Sequence, residues 1–439
     1  MKRLFFAVSL AVCWLSTQAG GLMTNTNYHI AFERMFARGA STEIDAAYSN
    51  PAGLAWGHEG WQLSLNLQKP WQNRDIETAI PGFLGQDFRQ KYRGEASAPI
   101  VPALFASYKK DRWAVSAMVG IVGSGGYVEY NEGVPMFNVP VVAMLAQSGV
   151  APGQYTLDSQ MKGKQYIYGG QACFTYRLLD CLSAAVGMRA CYYDGYYQGH
   201  VVADMGGNAL VNLRLDCPQT GWGFAPIVSL DYHRGPVTVA ARYEFRTRLN
   251  PENDTKELTA EIAGKSAQET AVLLGSKVTA YQDGMKTRYD MPSLLTLTVG
   301  YAFTPQLRAA VEYHFFDDRH AKMLNDRQKE LADGTHEFLL GVEWDINDRF
   351  TVSCGGQRTD YGLADNYQQN TSFACDSYSL GLGGAVNLSD RVRLNVSYFC
   401  SLYSDYQKES PNYLGTPYAG SDVYSRTNHV IGVGLDYKF

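Results

Sequence analysis

The residue types that carry most enzyme chemistry are present in this chain but not in working arrangements. Its histidines, His29, His58, His200, His233, His314, His320, His336 and His429, are scattered through the 439 residues. Nucleophilic catalysis needs a serine or cysteine beside an oriented histidine, and a metal centre needs ligands at short repeated spacings. There is no GxSxG, no CxxC, and no histidine in a recognisable catalytic motif. The chain therefore reads as a non-enzyme with no metal, nucleotide or redox cofactor. Of the eight cysteines, the seven beyond Cys13 are odd in number and irregular in spacing, which fits no disulfide framework. Cys354 and Cys375 could face each other across one hairpin; the others read as small apolar residues.

What remains is the chemistry of binding. A ligand carboxylate in an apolar pocket needs a cation, and Arg319 with Lys322 are the candidates. Arg242 and Arg246 alternate with Glu244, which reads as internal salt bridging. A net charge of -5 and a pI near 5.9 exclude the basic surface that nucleic-acid binding requires.

The elements that would position such residues are strands. Residues 1–19 read as a secretory signal peptide: Lys2 and Arg3, an apolar run from Leu4 to Leu15, then Thr17-Gln18-Ala19. Beyond it no apolar run approaches the roughly 20 residues of a spanning helix. From residue 61 the pattern is of period two. Trp61, Leu63, Leu65 and Leu67 alternate with Gln62, Ser64, Asn66 and Gln68, so one face is apolar and the other polar. The same alternation recurs at Trp113–Ile121, Val237–Phe245, Leu295–Phe303, Leu307–Phe315, Phe338–Trp344 and Val392–Tyr398.

Tight turns at Lys110-Asp111, Asp180-Cys181, Arg234-Gly235, Pro305-Gln306, Asn347-Asp348 and Ser389-Asp390 alternate with longer polar connections. About 14 antiparallel strands with one looped end form a transmembrane β-barrel, spanning residues 61–439. The count is even, so both termini lie on the side of the tight turns, which should be the periplasm. The last strand, HVIGVGLDYKF, ends on Phe439 and resembles the signal read by bacterial barrel-assembly machinery. Thirty tyrosines against 19 phenylalanines, with 43 glycines, suit aromatic girdles and tight turns.

Residues 20–60 are small and polar, hold Asn50-Pro51-Ala52-Gly53, and contain no helix of convincing length. Placed ahead of the strands, they read as a plug in the lumen. DAAYSNPAGLAW within them resembles the N-terminal hatch of the FadL family of outer-membrane channels for long-chain fatty acids and hydrocarbons. GGLMTNTN resembles the mature start of its Bacteroidetes branch. The resemblance implies a monomeric 14-stranded barrel in the bacterial outer membrane, in contact with its lipid and lipopolysaccharide. It implies passive uptake of a hydrophobic small molecule, with the Asn50–Gly53 turn bracing or gating the hatch. It also implies a kink in the third strand that opens the wall sideways, which would fall at Gly123, Gly125 and Gly126; a flexible start to the following loop is the other reading of these glycines. The fifth strand, YYDGYYQGHVV, has tyrosine where the family carries a basic residue for the carboxylate. That leaves a hydrophobic substrate standing without fixing a fatty acid.

Two long loops complete the expectation. PMFNVPVVAMLAQSG is uncharged, and Met136, Phe137, Val141, Val142, Met144 and Leu145 read as an outer apolar groove or as a lid packed on the barrel. Lys256–Gly284 carries loosely spaced apolar residues for one or two helices. The alternative architecture-level reading is a general polar porin or an adhesion barrel with a purely structural plug.

Overall fold

The computed structural model describes residues 28–97, 100–274 and 280–439. The expected signal peptide at 1–19 and the GGLMTNTN stretch lie outside the described residues. Among those described, one closed antiparallel sheet contains fourteen wall strands. They are β1 (Gly60–Phe83), β2 (Gln86–Ser97 continuing as Val101–Lys110), β3 (Trp113–Tyr130), β4 (Thr156–Leu179), β5 (Leu182–Met205) and β6 (Asn208–Arg234). Then come β7 (Val237–Glu244), β8 (Leu294–Ala302), β9 (Leu307–Phe316), β10 (Thr335–Asp345), β11 (Phe350–Asp360), β12 (Ser377–Asn387), β13 (Val392–Tyr403) and β14 (Gly420–Lys438). Closure is β14 on β1, in register from Gln62↔Lys438 to Ala79↔Ser421. A closed sheet leaves no unpaired edge, which is the condition for strands to cross a bilayer.

The alternation dictates the faces. Trp61, Leu63 and Leu65 point outward with 51%, 44% and 44% of their surface exposed, while Gln62, Ser64 and Asn66 are buried inside. An apolar exterior with a polar interior is the reverse of a soluble sandwich and matches a barrel solvated by lipid. Aromatic rings mark both interfaces. Trp61, Tyr108 and Trp113 pack together near the tight turns, and Tyr437 packs on Phe439; Trp71 and Tyr398 flank His429 at the other level.

Strands of 24 to 27 residues in β4, β5 and β6 far exceed the roughly 10 needed to cross. Their halves away from the tight turns therefore run on beyond the length a crossing needs. Against them fold a short outer strand, Glu257–Ile262, and two helices, Pro135–Gln147 and Ala267–Leu274. The outer end is closed by chain folded inward: Tyr361, Tyr367, Gln368, Asn370, Phe373 and Cys375 are all buried in the β11–β12 connection. Arg327 from the β9–β10 connection pins it, donating to the Tyr367 and Ser372 carbonyls at 2.6 and 2.9 Å and stacking on the Tyr367 ring.

Cys354 sits exposed on the outer face and Cys375 buried inside, both as free thiols. The hairpin pairing is therefore not made: Cys354 faces Leu382 in the ladder, while Cys375 lies in the connection before β12, folded inward.

Candidate functional site

The lower lumen is filled by residues 28–57. They form three short elements, a helix at Ile30–Met35, a single turn at Ala46–Ser49 and a 3-10 turn at Pro51–Trp56. No such short helix is stable alone, so contact with the wall must hold them. The wall is shaped for it. A side chain on Gly341, Gly355 or Gly381 would fall 2.1–2.2 Å from the carbonyl oxygens of Met35 or Glu33. Bare backbone on the strands thus lets the first helix lie flat against β10 to β12.

Asn50 to Gly53 occupies the opposite side of the lumen. Asn50 donates to Gly39 O and Asp231 Oδ2, each at 3.0 Å; Trp56 donates to Asp231 Oδ1 at 2.9 Å. Ser229 Oγ accepts from the Ala52 amide at 3.1 Å, while Thr175 and Ser183 donate to the Pro51 and Ala52 carbonyls at 2.8 and 2.7 Å. Pro51 opens the 3-10 turn, where its missing donor costs nothing. Gly53 is needed for space rather than for a left-handed conformation: a Cβ there would lie 2.3 Å from Ser41 O.

Charge completes the docking. Arg38 binds Asp45 through Nε at 2.7 Å and Nη2 at 2.9 Å, and reaches Glu43 at 2.9 Å. Arg34 bonds Glu343 on β10 and donates to Ser353 on β11 at 2.6 Å; Arg393 on β13 reaches Glu43 at 3.1 Å. Burial opposes ionisation of Glu43, but Arg393 and Arg38 hold its carboxyl well below the usual range. Glu33 differs: burial pushes it up to about 8, and only the Ser397 hydroxyl, donating at 2.5 Å, favours its charge.

The wall itself is broken beside β3. Among the described residues, β2 and β3 pair from Lys110↔Trp113 to Leu104↔Val119, and again only at Glu95↔Glu129 and Gly94↔Tyr130. Over the stretch between, β3 follows β4 with shifts in register at Ile121/Gly123 and Ser124/Gly126, so Val122 and Gly125 are extra residues in the ladder. Such bulges bend the strand that carries them. Gly169 on β4 makes the first one possible, because the Val122 methyls occupy the place of its missing side chain. Behind the break lie Val101, Ile121, Tyr28 and Tyr166, an apolar cluster.

Above, an apolar cleft of about 130 Å³ opens on the outer flank, lined by Phe137, Met161, Tyr197, Val201, Leu215 and Leu258 among others. Met161, Tyr197 and Phe137 connect it to a buried cluster that includes Tyr92, Tyr130, Phe373 and Tyr424. A second cluster runs below, from Tyr361 through Met323, Met291 and Tyr193 to Val122 and the luminal Tyr48 and Leu54.

Residues 259–439 match the family described as outer membrane protein beta-barrel domain. No curated protein matches the chain. Among solved structures, a Pseudomonas aeruginosa FadL homologue superimposes with a TM-score of 0.71 at 13% identity, over 96% of this chain and 100% of that one. The chain has the fold of a FadL-type channel. The Pseudomonas putida toluene transporter TodX gives a TM-score of 0.57 at 14% identity over 91% and 95% of the two chains. The Ralstonia pickettii toluene transporter TbuX gives 0.52 at 13% identity over 90% and 94%.

Within this FadL-type barrel the expected site residues scatter differently from their sequence grouping. Gly123, Gly125 and Gly126 lie inside β3 at its irregular stretch, and Gly126 has φ of +72°. The stretch from Met136 to Leu145 is a helix with Pro140 inside it, not a loop. Met136 and Phe137 join the upper cluster, Val142 packs near Phe83 and Phe88, and Val141, Met144 and Leu145 pack on Val201 and Val211. Only Phe137 of the six lines the 130 Å³ cleft. Arg319 and Lys322 are exposed on the outer connection, Arg319 donating to Ala332 O at 3.2 Å; neither lines that cleft. Arg242 does bridge to Glu244 at 2.6 Å, with Arg189 on the same carboxylate. Sequence reasoning passed over Val122 and Arg327. The glycine run announced a bend near Val122, but nothing in local sequence marks Arg327 as the pin of another loop.

Proposed function

We propose that this chain is a passive, energy-independent channel for hydrophobic small molecules. Ligand is collected at the outer apolar cleft, held in the lumen above residues 28–57, and released sideways between β2 and β3. The observation that carries this reading is the bulged stretch of β3, which pairs with β4 but, among the described residues, not with β2, and where Val101, Ile121 and Val122 offer an apolar margin. A greasy molecule leaving there passes into lipid without entering bulk water, the medium that makes its transfer costly. Residues 28–57 then act as a hatch, the Asn50–Gly53 turn bracing it on β4 to β6. The chain works as a monomer in outer-membrane lipid under lipopolysaccharide, and Phe439 is its mark for the assembly machinery. The transporters TodX and TbuX, named for toluene, support a hydrophobic cargo.

Deleting Val122 and Gly125 together removes both register shifts and lets β3 run regularly beside β2. Uptake of a radiolabelled apolar compound by cells carrying this variant should fall to the level of cells without the protein, with the barrel still heat-modifiable on gels. Undiminished uptake through the regularised wall would sink lateral release. Bulk ion conductance through the native barrel, with no hydrophobe binding, would point instead to a polar porin.

A further inference from the structure

A second cavity, of about 290 Å³, lies at the end of the barrel away from the tight turns. The β1–β2 hairpin, the outer part of β4 and the helix at Pro135–Gln147 enclose it, and it shares no lining residue with the apolar cleft. One part of its wall is apolar, where Phe83 and Phe88 of the hairpin cluster with Val139 and Val142 of the helix. The rest is polar and poorly satisfied. Ser159 Oγ, Asn138 Oδ1 and Tyr92 Oη have no hydrogen-bond partner, and the three residues are only 6%, 7% and 0% exposed. A buried polar atom left unpaired is costly. The Asn138 amide is held one way round, since its Nδ2 donates to Glu132 O at 2.8 Å, which leaves the side-chain oxygen over. Gly133 makes the arrangement possible. It has φ of +70°, and a Cβ on it would collide with Ser159 Oγ and lie 2.7 Å from Asn138 Oδ1, so the two oxygens crowd the same bare backbone.

The wall indicates what would fill it. Water takes about 30 Å³ in the liquid, so the cavity is far too wide for one water or a bare cation. Glu132 and Asp158, both exposed, are its charged residues, and no lysine or arginine lines it. Two carboxylates without a base repel a phosphate, a sulfate or an organic acid. Asp158 meets His200 at 3.0 Å and Glu132 meets Gln90 at 3.5 Å, each through one oxygen, which leaves acceptor capacity on both.

We propose that this cavity binds a single sugar ring without an acid group, an amino sugar in preference to a neutral hexose. A sugar hydroxyl both donates and accepts, so it answers the Ser159 and Tyr92 hydroxyls and the Asn138 oxygen alike; rotation about one bond turns the serine hydroxyl to meet it. The C–H face of the ring packs on Phe83 and Phe88, and an ammonium group meets the carboxylates at the mouth. The site stands apart from the uptake path, and either can fail without the other.

The test uses the full chain purified in an amine-oxide detergent, since a sugar-headed detergent would compete. Methyl glycosides of glucosamine, glucose and glucuronic acid serve as probes, titrated by saturation-transfer NMR. The glucosaminide should bind up to ~5-fold tighter than the glucoside, the scale of an exposed ion pair, and the glucuronide should not bind. Tyr92→Phe and Ser159→Ala should each weaken the glucosaminide by ~10-fold, the scale of one hydrogen bond. Melting temperature should not fall in either variant, because each hydroxyl removed has no partner within the fold. A linked glucosamine trimer separates the sources: binding like the monomer's places the end of a glycan in the cavity, and exclusion of the trimer a free sugar. Failure of all three glycosides to bind, equal binding of the glucuronide, or an affinity unchanged in both variants overturns the site.

Discussion

The Asn50 side chain, on the luminal segment, donates a 3.0 Å hydrogen bond to the Asp231 carboxylate on β6. Trp56 supplies a second donor to the same carboxylate at 2.9 Å, so one buried acid holds both ends of the Asn50–Trp56 turn. Asp231→Ala should loosen that turn without unfolding the barrel, because the strand ladders are untouched. Losing two buried bonds to one acceptor costs about 2–4 kcal/mol of docking energy. Limited proteolysis should cut within residues 37–57 in the variant and spare the native protein.

Glu33 makes docking depend on pH. Its carboxyl is raised to about 8 in the folded state by burial, while its ordinary value is 4.5. The native state therefore holds a proton that the unfolded state releases over this interval. Stability is greatest below about 4.5 and declines as pH rises toward 8, after which the loss is complete. Melting temperature measured from pH 5 to 9 should fall in the native protein and fall less in Glu33→Gln. Identical slopes would show that Ser397 and its surroundings accept the charge.

Gly355 meets the first luminal helix at its backbone, with Met35 O only 2.1 Å from the missing Cβ. Neither group can step aside by a rotamer change. Gly355→Ala should displace the helix and destabilise it by about 1–3 kcal/mol, seen as a lowered melting temperature and as increased hydrogen exchange over Ile30–Met35.

Arg327 ties two outer connections together. Replacing it by alanine removes its bonds to the Tyr367 and Ser372 carbonyls and its stacking on the Tyr367 ring. Exchange over 361–376 should rise by an order of magnitude or more, consistent with about 2–4 kcal/mol lost, and planar-lipid conductance should become measurable. An unchanged exchange pattern would mean that Asn370 on Asp422 suffices to hold the loop.

The wall was legible because a barrel strand writes both of its environments into neighbouring residues. Trp61 to Gln68 shows lipid and lumen in alternation, and the six tight turns follow from the same period. The helix at Pro135–Gln147 was not legible, because it is apolar on every side and carries Pro140; no periodicity separates such a segment from a greasy loop. Cys354 and Cys375 misled for a related reason, since nearness in a hairpin says nothing of side unless the register is known. Arg74 and Arg426 lie far apart in the chain and pair only through closure. Their relation exists in the register of β1 on β14 and nowhere in local sequence.

That same seam is bridged from within. His29 contacts Asp436 of β14 and Ser64 of β1, the Ile30 amide donates to Asn66 of β1 at 3.0 Å, and Glu33 reaches Ser397 of β13. The luminal segment is thus a clasp across the first and last strands. Zipping those strands together and seating the clasp stabilise each other, so a cylinder closed around an empty lumen is the weaker joint.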